Sequence, residues 1–191
     1  IAEAKRVSRG LRHVEFRLAD ASKDDFSEAR FDRMFSRFGV MFFGDPVAAF
    51  THLRGALATD GRLTFVCWRP VVENPWMRIP FNAVCKHAPR PPRPGPEDPG
   101  PFSFSEPERV RRILTQAGFA EPRFTKFDFD MDLALGQGLE AAVESAATIG
   151  PASAAPADQP DEIRTAAYEA LRKELAPYEK DRRVPLAAAV R

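Results

Sequence analysis

The stretch that most limits what this chain can fold into is residues 31–46, FDRMFSRFGVMFFGDP. Phe31, Met34 and Phe35 supply a strand's apolar content, and Ser36, Arg37 and Gly39 break it where the strand's carboxyl end falls. Asp45 then offers a side-chain oxygen to free helix N–H groups, and Pro46 takes the first helical position, where a missing N–H costs nothing. The predicted helix carries Val47, Phe50, Leu53 and Leu57 on one face and ends at Thr59-Asp60-Gly61. Residues 62–68, RLTFVCW, are the strongest strand, nearly continuous in apolar and β-branched residues as expected of a strand covered on both faces. Strand, helix and strand in this order predict a right-handed parallel crossover within an α/β layered domain. Polar groups at the carboxyl edge of such a sheet are where open α/β folds bind ligands.

Around this unit the pattern is readable but looser. Residues 1–10 look like a helix closed by Gly10, and 11–18 (LRHVEFRL) alternate as a strand that runs into Ala19-Asp20-Ala21. Residues 22–30 are a polar loop or a short surface helix. From 69 to 101 the texture changes: Asn74, Pro75, Trp76 and Met77 open a short apolar segment, and 89–101 is so rich in proline that it predicts a stiff connection or a lid. Ser105 and Glu108 have capping-box spacing, with Gly118 and Phe119 closing the helix that follows. Residues 123–131 alternate as an antiparallel or edge strand, with a slip between Phe124 and Phe127. Within 137–176 two alanine-rich helices, 139–149 and 163–175, flank a flexible GPASAAPADQP and either cap the ligand edge or pad the sheet. The terminal VPLAAAV reads as a last strand or a docked tail.

With 191 residues, the chain is expected to form one domain with a real core. Twenty-eight Lys and Arg against 27 Asp and Glu leave no net field to draw nucleic acid. No apolar run approaches the roughly 20 residues of a membrane span, and no leader pattern is present. Cys67 and Cys85 are too few for a disulfide framework or a cysteine zinc site, and they suit free thiols in the cytoplasm. His13, His52 and His87 make no metal-ligand cluster, so no metal is expected.

Taken in order, ADA after a strand, FDRMFSRFGVMFFGDPVAAFTHLRGAL, DGRLTFVCW, the later NPW, PFSFSEPERVRRILTQAGF and LGQGLEAAVESAATIGPA resemble a class I S-adenosylmethionine-dependent methyltransferase of the ubiquinone/menaquinone-biosynthesis type. The resemblance implies a Rossmann-like three-layer fold with a mostly parallel sheet, S-adenosylmethionine as cofactor and a small, fairly apolar methyl acceptor. The family's glycine-rich GxGxG turn is not in the sequence, so Ile1 would fall after the second family strand and the first two strands would be missing. A truncated or degenerate non-catalytic module is therefore the alternative, and an unpaired edge at 11–18 would favour a homo-oligomer. By position, Asp20 and Ala21 match the motif that contacts adenine, though an aspartate here could equally cap a turn. Phe35, Ser36 and Arg37 match the strand end lining the cofactor pocket and facing substrate. Phe38 and Met41 are candidates for the substrate pocket or for the core, and Trp68, Asn74 and Trp76 for pocket or packing. No catalytic side chain is singled out, because a sulfonium donor is already electrophilic and alignment does most of the work.

Overall fold

A computed structural model describes residues 1–27, 30–95 and 97–191. The described chain is mixed α/β. Helices are α1 (Ala2–Val7), α2 (Pro46–Ala56), α3 (Pro75–Val84), α4 (Pro107–Gln116), α5 (Leu139–Thr148), α6 (Pro151–Ala154) and α7 (Asp161–Leu175). Strands are β1 (Phe31–Arg37), β2 (Leu57–Val66), β3 (Phe127–Asp132) and β4 (Pro185–Val190).

The strand-helix-strand unit forms as its residues dictate. Asp45 Oδ1 accepts the Ala48 N–H at 2.9 Å and Pro46 opens α2. β1 and β2 are parallel, with Met34 opposite Leu63 and Phe35 opposite Thr64. The helix, however, stops at Ala56, and residues 57–60, expected to close it, already belong to β2. The extra residues are absorbed by a register irregularity between Phe31 and Arg33, the signature of a bulge.

The side-chain period of two gives this sheet two unlike faces. Met34, Ser36, Leu63 and Phe65 are half-buried, and Phe65 meets Phe50 of α2 with ring centroids 5.7 Å apart. Fully buried Phe50 also contacts Phe43, Phe104 and Phe119, making it the hub of the core on this side. Arg33, Phe35, Arg62 and Thr64 on the other face are exposed, so β2 is covered on one face among the described residues, not on two.

The sheet continues beyond β2. Cys67 and Arg191 exchange two backbone hydrogen bonds, of 3.0 and 2.9 Å, and Trp68 bridges Val190 in the antiparallel sense. β4 in turn pairs antiparallel with β3, from Phe127 opposite Val190 to Asp132 opposite Pro185. The backbone therefore runs β1, β2, β4, β3 side by side, with the predicted last strand in the middle of the array.

Other expectations change at their ends. Residues 11–18 pair with no strand among the described residues, and Leu18 stands 89% exposed. Alternation specifies a face only where a neighbour pairs the backbone, and the pairing of β1 goes to β2. The Ser105 capping box does not form; Pro107 at the first helical position moves the cap of α4 to Glu106. The other end closes as predicted: Gly118 has φ +83°, and the Phe119 N–H reaches the Leu114 carbonyl at 2.9 Å in a Schellman turn. Residues 150–160, expected to be flexible, include α6 and the buried Ala152, Ala155 and Pro156. None of the described helices is long and apolar enough to cross a membrane.

Candidate functional site

The carboxyl ends of β1 and β2 converge. β1 finishes at Arg37, and the next residue, Phe38, turns the chain with φ +63° while its N–H still bonds the Val66 carbonyl at 3.1 Å. Left-handed backbone is costly for a bulky residue and is held only where the surroundings over-determine it. Here the holding contact is Trp68, just past β2, whose ring stacks on Phe38 at 4.2 Å and 8° from parallel. Trp76 of α3 packs against Trp68 at 4.8 Å.

These residues form one wall of a cavity of about 400 Å³. Met77 and Pro80 of α3 extend that wall, and Met131, Asp132, Leu133 and Leu135 at the end of β3 face it. Ser145, Ala146, Ile149, Pro151 and Ala152, from α5 and the start of α6, close the far side. α6 and α7 pack on α3, and α5 packs on both α6 and α7, with residues within 145–152 of this helical segment lining the cavity. A mostly apolar pocket of this volume suits a small organic molecule. A second hollow, about 440 Å³, lies between α5 and α7 but is more open and framed by Glu140 and Glu144. Arg172 already engages Glu140 there through two hydrogen bonds of 2.7 and 2.8 Å.

Polar groups in the first cavity differ sharply in how far they are committed. Burial raises the pKa of Asp132, but N–H donors from Val184, Ala134 and Gly136 and the Arg183 guanidinium outweigh it and hold the carboxyl below its ordinary value. Arg37, Ser145 and Trp76 contrast with it. Among the described residues the Arg37 guanidinium and the Ser145 hydroxyl donate to no protein group, and the Trp76 indole N–H is buried without an acceptor.

Of the residues singled out from sequence, Arg37, Phe38, Trp68 and Trp76 line this cavity together. Met41 is 1% exposed in the core, and its carbonyl accepts Ser103 Oγ at 2.7 Å and the Gly100 N–H at 3.0 Å. Asn74 is fully buried and spends both ends of its amide on backbone groups of Arg69, Pro70 and Ala189. Asp20 and Ala21 lie on an exposed turn, where Asp20 Oδ1 accepts the Ser22 N–H and hydroxyl at 2.9 and 2.7 Å. Those bonds hold the Asp20 carboxyl below its ordinary pKa. Phe35 is 68% exposed on the open sheet face, and Ser36 sits half-buried on the opposite one. None of Asp20, Ala21, Phe35 and Ser36 lines either of these two cavities.

Sequence reasoning missed the wall contributed by Met131–Leu135 and by Ser145–Ala152. The alternation that ends at Met131 and the break at Gly150-Pro151 mark where these walls turn, but neither motif says which way they face.

Comparison with curated proteins returns no match. Residues 1–65, which run through β1 and α2 nearly to the end of β2, match the family described as "Methyltransferase domain".

Proposed function

We propose that the protein transfers a methyl group from S-adenosylmethionine to a small, fairly apolar acceptor, and that the 400 Å³ cavity holds the acceptor. The observation that carries this reading is position. The cavity opens at the carboxyl ends of two parallel strands, where α/β sheets bind ligands, and both strands belong almost wholly to the methyltransferase match. On this reading β1 and β2 are part of a mostly parallel, Rossmann-like three-layer sheet, and Arg37 stands between cofactor and acceptor. The apolar walls exclude water and orient the acceptor, which is most of what methyl transfer asks of a protein.

Calorimetric titration of the natural full-length protein with S-adenosylmethionine tests the proposal. Saturable heat is expected, and no heat at millimolar ligand would overturn it in favour of a non-catalytic module.

A further inference from the structure

The cavity is rich in donors and poor in acceptors. Its one lining carboxylate among the described residues, Asp132, is already saturated by three backbone N–H groups and Arg183. The Arg37 guanidinium, the Ser145 hydroxyl and the Trp76 indole N–H have no protein partner among the described residues, and all three belong to lining residues. The remaining walls are aromatic and aliphatic.

We infer that the cavity binds a small carboxylic acid with a flat apolar body, its carboxylate on Arg37 and its body along the Phe38, Trp68 and Trp76 wall. This rests on the acceptor-pocket reading and names the class of acceptor. Guanidinium and carboxylate match as planar, bidentate partners. A phosphate, with its larger charge and three acceptor oxygens, calls for more than the one cation lining this cavity among the described residues. The carboxylate is the anchor, and the atom that takes the methyl group lies on the body of the molecule.

The two tryptophans of the chain, Trp68 and Trp76, both line the cavity, so intrinsic tryptophan fluorescence reports its occupancy. The full chain is titrated, without S-adenosylmethionine, with hydrocinnamate and with its neutral isostere hydrocinnamamide, whose phenyl rings do not absorb at the red edge of tryptophan excitation. The acid is expected to bind about tenfold more tightly than the amide, a difference that shrinks as salt rises. Arg37→Gln is expected to abolish that preference by weakening the acid about tenfold and the amide much less, and the retained binding of the amide also shows the variant to be folded. Equal affinity for acid and amide, binding of neither, or an acid preference that survives Arg37→Gln would each overturn the inference. Because this titration omits the cofactor, its failure is distinct from failure of the S-adenosylmethionine titration, which bears on methyl transfer alone.

Discussion

Phe38 and Trp68 stack face to face at 4.2 Å, one residue beyond the end of β1 and two beyond the end of β2. The stack ties the two strand ends together and holds Phe38 in left-handed backbone at φ +63°. Two opposing terms therefore meet at one residue. Phe38→Ala loses the stack, worth about 1 kcal/mol beyond buried area, and keeps the backbone penalty. Phe38→Gly loses the same stack but relieves the penalty. In urea denaturation the glycine variant is expected to be more stable than the alanine variant by about 1 kcal/mol, reversing their usual order. Finding alanine the more stable would mean that φ relaxes once the ring is gone.

Asn74 locks the loop after β2 to β4. Its amide nitrogen donates to the Arg69, Pro70 and Ala189 carbonyls at 3.0 to 3.2 Å, and its oxygen accepts the Ala189 N–H at 2.9 Å. Asn74→Ala strands backbone groups in a site closed to water and is expected to cost about 2–4 kcal/mol in chemical denaturation. Asn74→Asp keeps the acceptor and loses the donors, so it is expected to be no better tolerated. A loss below about 1 kcal/mol for the alanine variant would mean that water enters and replaces the amide.

Asp132 makes stability depend on acid. Its pKa is lower in the folded chain, where burial pulls upward but the Val184, Arg183, Ala134 and Gly136 donors pull downward more strongly. A carboxyl depressed by folding contributes stability that is complete above its unfolded pKa and is lost as pH falls through its folded one. The stability difference between the native chain and Asp132→Asn is therefore expected to be constant near neutrality. It should shrink as pH drops through about 4 and below. A difference that stays flat to the acid limit would show the cost to be geometric rather than ionic.

The central unit was legible because its signals are local. The Asp45 cap with Pro46 and the Gly118 turn with Phe119 each depend on neighbours in sequence, and both form as read. What failed depends on partners elsewhere in the chain. The alternation in residues 11–18 matches that of a strand, but the described chain offers it no paired neighbour. The cavity was half legible for the same reason. Arg37, Phe38, Trp68 and Trp76 sit at the ends of readable elements, whereas Ser145 and Ile149 reach the cavity through the packing of α5 on α6 and α7 and of these two on α3, and Leu133 through the hydrogen bond of its N–H to the Val184 carbonyl. Asn74 carries the same lesson in reverse. It sits beside pocket residues in sequence, yet its partner Ala189 lies 115 positions away on β4.

Leu135 separates backbone strain from ligand contact. It has φ +49°, lines the cavity and leaves 75% of its surface exposed, so it bears a left-handed penalty with little packing to offset it. Leu135→Gly gives up few contacts and removes the penalty, so it is expected to gain about 1 kcal/mol, or roughly 2–4 °C in Tm for a domain of this size. A strained apolar residue at the rim of a cavity is a structural liability that ligand binding can explain. The same variant is therefore expected to weaken binding of an apolar ligand several-fold, read by tryptophan fluorescence. Stabilisation with unchanged affinity would remove Leu135 from the site, and destabilisation would show that its side chain packs where it stands exposed here.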